Sequence, residues 1–162
     1  MEKFTEEEVL AAVSLGAQHQ SITAQEKKLI ENVFAFNDRT VAHAMTPKSK
    51  VVSLDADTDI PITYKKALAS AFSRFPVMRE NDVVATVHLK TLGRNFYDHP
   101  EWQTGKIGVM PLVVNATDKC NNAFLAMKRH GRNIAVVHNT RKEYVGIVTL
   151  EDLLDELTGE MV

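Results

Sequence analysis

Apolar positions in the first forty residues recur every three or four places: Val9, Leu10 and Val13, then Leu29, Ile30, Val33 and Phe34. That spacing predicts two helices. Each is preceded by a hydroxyl residue with a carboxylate three positions on, Thr5 with Glu8 and Thr23 with Glu26. This is the pattern of a capping box, in which side chain and backbone at a helix start satisfy each other. Gly16 and the polar run Gln18-His19-Gln20-Ser21 form the joint between them. The pair is read as an arm, residues 1–40, ahead of the main module.

Beyond the arm the apolar pattern changes period and then repeats. Arg74-Phe75-Pro76-Val77 superposes on Ile134-Ala135-Val136-Val137 at an offset of about 60 residues. The same offset lays Leu54-Asp55-Ala56-Asp57 over Val114-Asn115-Ala116-Thr117, and Tyr64 over Phe124. After one extra residue in the second copy, Ala85 to Leu92 lies over Gly146 to Leu153. Each copy predicts a short strand, a helix, an apolar strand, a polar turn, a second apolar strand and a helix. The turns are Arg79-Glu80-Asn81-Asp82 and Asn139 to Glu143. Residues 41–94 and 107–162 are thus two β-α-β-β-α units related by a pseudo-two-fold axis. The connection, 95–106, reads as a loop from Asn95 to Gly105 with Pro100 and the lone Trp102. The fold class expected is α+β.

The chain has 162 residues, 44% hydrophobic and 25% charged, with a formal net charge of -2. That charge offers no general attraction for a phosphate backbone, and no basic stripe with interleaved aromatics is present, so nucleic acid is not an expected partner. One cysteine, Cys120, excludes an intrachain disulfide and a thiolate metal cluster. It is read as a small buried side chain. No apolar run approaches the roughly 20 residues that span a bilayer. His-x-x-x-His, Gly-x-Ser-x-Gly and the Walker loop are all absent, so no catalytic role is assigned.

Candidate chemistry concentrates at Gly146 to Asp152, where a strand gives way to a helix. Thr149 at the cap and Asp152 three residues on suit a capping box, which needs no ligand. The same geometry suits a nucleotide. A helix start favours a phosphate, a hydroxyl there can donate to it, and a carboxylate beside it can accept from both hydroxyls of a ribose. Gly146 leaves room for a close approach of backbone or ligand. Both readings stand at this point.

The chain resembles tandem cystathionine-β-synthase (CBS) domains, and more narrowly the CorC/HlyC-type family of magnesium and cobalt efflux proteins. The resemblance rests on Asn37 to Val41 leading into Ala44-Met45-Thr46-Pro47-Lys48, on Ser73-Arg74-Phe75-Pro76-Val77, on Val87-His88-Leu89-Lys90, and on Gly146 to Leu154. It implies an adenine nucleotide (ATP, AMP or adenosine) held by Thr149 on its phosphate side and by Asp152 on its ribose, beside Gly146 and Ile147. Thr46 and Pro47 would lie near base or ribose. Ser73, Arg74, Phe75 and Pro76 would open the adjoining strand, with Arg74 on phosphates, its alternative being a surface ion pair. Ile134 and Ala135 would flank the base, or simply fill the core.

In the first copy Ala85, His88 and Thr91 replace Gly146, Thr149 and Asp152, which implies one competent site per chain. Glu151, Asp152, Asp155 and Glu156 crowd the receiving helix, either as an exposed face or as carboxylates that would make Mg²⁺ a companion of ATP. The resemblance further implies a homodimer through the CBS helices, a cytoplasmic location, and a parent protein with a membrane transport domain that is absent from this chain. A naturally short protein is the alternative. The competing function is a structural dimerisation module without ligand.

Overall fold

A computed structural model describes residues 3–159; residues 1, 2 and 160–162, assigned above to the arm and the second unit, lie outside the described residues. The arm is two helices, α1 (Glu6–Gln18) and α2 (Ala24–Asp38), each opened by the capping box expected of Thr5 and Thr23. A short helix, α3 (Val41–Ala44), leads to β1 (Thr46–Pro47). The first copy then runs β2 (Leu54–Asp55), α4 (Ile60–Leu68), β3 (Arg74–Arg79), β4 (Asp82–His88) and α5 (Leu89–Asp98). The second runs β5 (Val113–Asn115), α6 (Cys120–Arg129), β6 (Ile134–His138), β7 (Tyr144–Thr149) and α7 (Leu150–Thr158). The duplication extends to detail: β3 and β6 each carry a register shift, at Val77/Met78 and at Val137/His138.

Strand alternation sorts side chains between two kinds of core. In β6, Ala135 and Val137 join Phe36, Val41, Cys120, Met127, Val148 and Leu153 beneath α2, α3, α6 and α7. Ile134 and Val136 point the other way, with Tyr144 and Ile147, and meet Val51, Met78 and Val83 of the first copy. Phe75 and Val77 of β3 pack with Leu54, Ala67, Val87 and Leu92 under α4 and α5. Two sheets therefore face one another, each backed by its own helices.

The strand order, however, crosses the copies. The first sheet is β2-β3-β4, whereas the second is β1-β7-β6-β5. Thr46 pairs with Ile147 and Pro47 with Gly146, so the segment leading into the first copy's β2 completes the second sheet. The connection returns the exchange: Thr86 and Val109 form a bridge on the edge of β4. The anchors match as well. The Val41 and Ala42 N–H groups donate to the Asp118 and Ala116 carbonyls, and the Thr104 and Gly105 N–H groups to those of Thr58 and Ala56, all at 2.8–3.0 Å. Thr104 is fully buried, and its hydroxyl bonds the Thr58 carbonyl at 2.9 Å and lies 2.6 Å from that of Thr63.

One element differs from the expectation. Residues 95–98, read as the start of a loop, continue α5 to Asp98. Asn95 folds its amide back to the Thr91 carbonyl at 2.9 Å, and Phe96 packs on Tyr64 at 5.3 Å between ring centroids. Tertiary packing outweighs the weak helix propensity of this stretch. Pro100 falls after the helix has ended.

Gly146 is what lets β1 lie so close. A Cβ built there overlaps the Thr46 carbonyl oxygen and falls 3.3 Å from the Pro47 Cα and 3.2 Å from the Met45 sulfur. Two of these contacts are backbone and cannot rotate away. Gly146→Ala is expected to cost about 1–3 kcal/mol by forcing β1 off the sheet, read as a lower urea midpoint. An unchanged midpoint would show that β1 is free to shift.

Candidate functional site

A cavity of about 280 Å³ opens where the two copies meet. Its polar rim is drawn from both: Thr46, Ser73 and Arg74 on one side, Thr149, Glu151 and Asp152 on the other. Its apolar walls are Val51, Val52, Ala71, Phe72 and Ile147, and Lys50 adds a second cation.

Six of the twelve residues expected from the sequence therefore line one cavity: Thr46, Ser73, Arg74, Ile147, Thr149 and Asp152. The other six are its support. Phe75 and Ala135 point into the helix-side cores, and Ile134 faces the space between the sheets. Pro76 is buried in β3, Pro47 pairs with Gly146 on its outer side, and Gly146 itself lies against the β1 backbone. A strand shows one residue in two to each face, so neighbours in sequence cannot all reach one ligand. Lys50, Val51, Val52, Ala71 and Phe72 are lining residues that sequence reasoning passed over. β2 pairs in parallel with β3, Leu54 beside Val77, so the chain entering β2 must run beside the chain entering β3.

The Thr149–Asp152 pair forms a complete capping box. The Thr149 N–H donates to Asp152 Oδ2 at 2.8 Å, and the Asp152 N–H donates to Thr149 Oγ1 at 3.1 Å. This does not exclude a ligand, because different atoms are used. Among the described residues, the hydroxyl proton of Thr149 and the Oδ1 of Asp152 have no protein partner. A hydroxyl keeps its donor while accepting, and a carboxylate keeps further lone pairs. The helix start is less open than expected. The Leu150 N–H is taken by the Asn133 carbonyl at 3.1 Å and that of Asp152 by Thr149, leaving the Glu151 N–H. An anion here must therefore rely on side-chain cations. Arg74 fits that need, since among the described residues no carboxylate lies within 4 Å of its guanidinium.

The matching position in the first copy is built alike but charged differently. The Leu89 N–H donates to the Ser73 carbonyl at 2.8 Å, as Leu150 does to Asn133. Ala85 stands for Gly146, yet a Cβ built at Gly108 falls 2.5 Å from the Ala85 Cβ. The close approach is thus kept, with the glycine on the opposite segment. What differs is chemistry: Lys90 and Thr91 occupy the places of Glu151 and Asp152. The cap is His88, whose Nδ1 accepts from the Lys90 N–H at 3.0 Å. Cys120 is fully buried, its thiol donates to the Thr40 carbonyl at 3.3 Å, and burial pushes its pKa up, as befits packing.

Comparison with known proteins accords with this geometry. A family model of the CBS domain matches residues 108–159. The CBS domain of a bacterial CNNM/CorC family Mg²⁺ transporter superposes with a TM-score of 0.92 over 99% of both chains at 22% identity. The chain is a tandem CBS domain pair. A second structure of such a transporter domain, in complex with ATP, matches at a TM-score of 0.80, covering 85% of this chain and 99% of that one at 23% identity. Among homologues, the polyamine export protein of Escherichia coli K12 is 31% identical over 163 residues, and a UPF0053 protein of Synechocystis is 27% identical over 159. The CBS pair spans 36% of the length of each. Among the described residues no helix is long and apolar enough to cross a membrane.

His88 is expected to make the CBS pair sensitive to acid. Its pKa is lowered from 6.5 by burial first, then by the charges of Arg74 and Lys90. Protonating Nδ1 would also break the cap. A depressed native pKa means that the unfolded chain binds more protons, so His88 contributes stability above pH 6.5 that is lost as pH falls through the lowered value. His88→Asn, which keeps a capping acceptor, is expected to flatten the fall in urea midpoint between pH 7.5 and 5.5. A variant falling as steeply as the parent would clear His88 of this role.

Proposed function

We propose that this CBS pair binds an adenine nucleotide in the cavity between its copies and regulates a CorC-type membrane transport protein. The observation that carries the reading is the convergence of Arg74 from one copy with Thr149 and Asp152 from the other, each with hydrogen-bonding capacity left unused by the fold. Asp152 Oδ1 would accept from ribose hydroxyls, and the Thr149 hydroxyl and Arg74 would donate to phosphate oxygens. The apolar walls suit a flat base. Lys50 and Arg74 balance Glu151 and Asp152, so a triphosphate brings uncompensated charge into the cavity. Mg²⁺ arriving on the phosphates would offset it, since hard cations prefer such oxygens.

The nucleotide would act by favouring one arrangement of the two copies. A route to the arm is built in. One turn beyond Asp152, Glu156 accepts from Arg39 at the end of α2, and His43 Nε2 lies 3.8 Å from it. Partnership follows the usual CBS habit, a homodimer through exposed apolar positions such as Ile62, Leu125 and Leu154 on α4, α6 and α7. The parent's cargo would be a cation, since the relatives are described as a Mg²⁺ transporter and a polyamine exporter. The cytoplasmic side is where such a module would meet ATP, and it would act without turning the nucleotide over.

One observation favours a second reading. The capping box closes without ligand, as a purely structural dimerisation module would require. Calorimetric titration separates the two. ATP with Mg²⁺ is expected to bind the parent chain, AMP to bind without need of the ion, and Asp152→Ala to weaken both about tenfold or more. No heat of binding and no rise in melting temperature with ATP, AMP or adenosine would leave the structural module.

A further inference from the structure

We infer that Phe72 is the stacking platform for the nucleotide base and so sets the preference of the cavity for a flat heteroaromatic ligand. This rests on the nucleotide reading above. Phe72 lies in the short connection between α4 and β3, where it lines the cavity while remaining 53% exposed. A phenylalanine half in water is not serving a core, and neither it nor any residue beside it in this connection belongs to one. Its backbone is nevertheless held. The Ser70 hydroxyl donates to the Ala67 carbonyl at 2.7 Å and accepts the Phe72 N–H at 3.3 Å, tying the connection to the end of α4. The ring is thus presented from a fixed support, half of it open to solvent, with no aromatic partner among the described residues.

The opposing surfaces define what would cover it. Val51, Val52, Ala71 and Ile147 supply apolar area but no π face, and among the cavity-lining residues Phe72 is the sole aromatic. The polar groups lie along the rim, so a ligand anchored there by sugar and phosphate carries its base against the apolar walls, Phe72 among them. Every nucleobase has a π face, and stacking on an aromatic side chain is a general way to hold one. At the equivalent place in the second copy stands Arg132, so the aromatic is a property of this cavity and not of the repeat.

The experiment compares the parent chain with Phe72→Ala and Phe72→Trp, using ATP with Mg²⁺ and AMP. Phe72→Ala is expected to weaken both nucleotides by about tenfold, with its urea midpoint and elution volume unchanged. Phe72→Trp is expected to bind at least as tightly as the parent, and its added indole emission should be quenched on saturation, with parent Trp102 emission as the blank. Parent-like affinity in Phe72→Ala overturns the inference. So does unaltered indole emission in Phe72→Trp at saturating nucleotide, or a change in oligomeric state in Phe72→Ala without loss of affinity, which would assign the ring to a second copy of the chain. Failure of the parent itself to bind either nucleotide overturns the nucleotide reading and this inference together.

Discussion

The cavity exists because the two copies exchange the segments that lead into their first strands. Thr46 and Pro47 are hydrogen-bonded into the second sheet, and Val109 onto the edge of the first. Each exchange is fixed by backbone donors that reach the turn after the opposite copy's first strand: Val41 to Asp118, Thr104 to Thr58. Buried backbone groups must find partners, and here the turn after each copy's first strand finds some of them on the segment that leads into the other. Separating the copies would strip both. A cleft between two units joined this way has walls from both by construction, and that is why Arg74 and Asp152, 78 positions apart by number, share one rim.

Within the cleft, the capping of α7 and the proposed recognition of a ligand would draw on different atoms of the same side chains. Thr149 caps α7 with an oxygen lone pair and keeps its proton; Asp152 caps with Oδ2 and keeps Oδ1. The fold therefore loses nothing by holding a ligand and needs none to form. The reverse holds for the helix start itself. With the Leu150 and Asp152 donors already committed, the general attraction of a helix N-terminus for anions is largely spent within the protein. On the proposed reading, phosphate recognition would pass to Arg74 and Lys50, and a cavity with two cations facing two carboxylates would hold a highly charged ligand only with its counter-ion.

Much of this was legible from residue spacing. The capping boxes at Thr5, Thr23 and Thr149, the element order of each copy and the duplication follow from local chemistry and a repeating pattern. What was illegible depended on faces and registers. Phe75 and Ala135 are adjacent to cavity or inter-sheet residues in sequence, yet alternation turns them toward the helices. Lys50, Val51 and Phe72 lie in connections with no period of their own, and only the parallel pairing of Leu54 with Val77 brings those connections together. The crossing of β1 into the second sheet was equally hidden, because two residues are too few to carry a pattern.

The two copies also differ in a way that bears on how occupancy could be felt. Both α5 and α7 are tethered at their first N–H to the residue that precedes the neighbouring strand, Leu89 to Ser73 and Leu150 to Asn133. Ser73 thus faces the cavity while its carbonyl holds the start of α5, and Asp152 faces it from the first turn of α7. A ligand spanning Ser73, Arg74 and Asp152 would therefore load the N-termini of both helices at once, although its chemistry is concentrated in one copy. From α7 that load would reach Arg39 and the arm through the Glu156 ion pair. Replacement of the carboxylate by Thr91 in the first copy leaves the tether intact and removes only the grip. On the proposed reading, one site set between two similarly tethered helices would be enough to fix the angle between the copies.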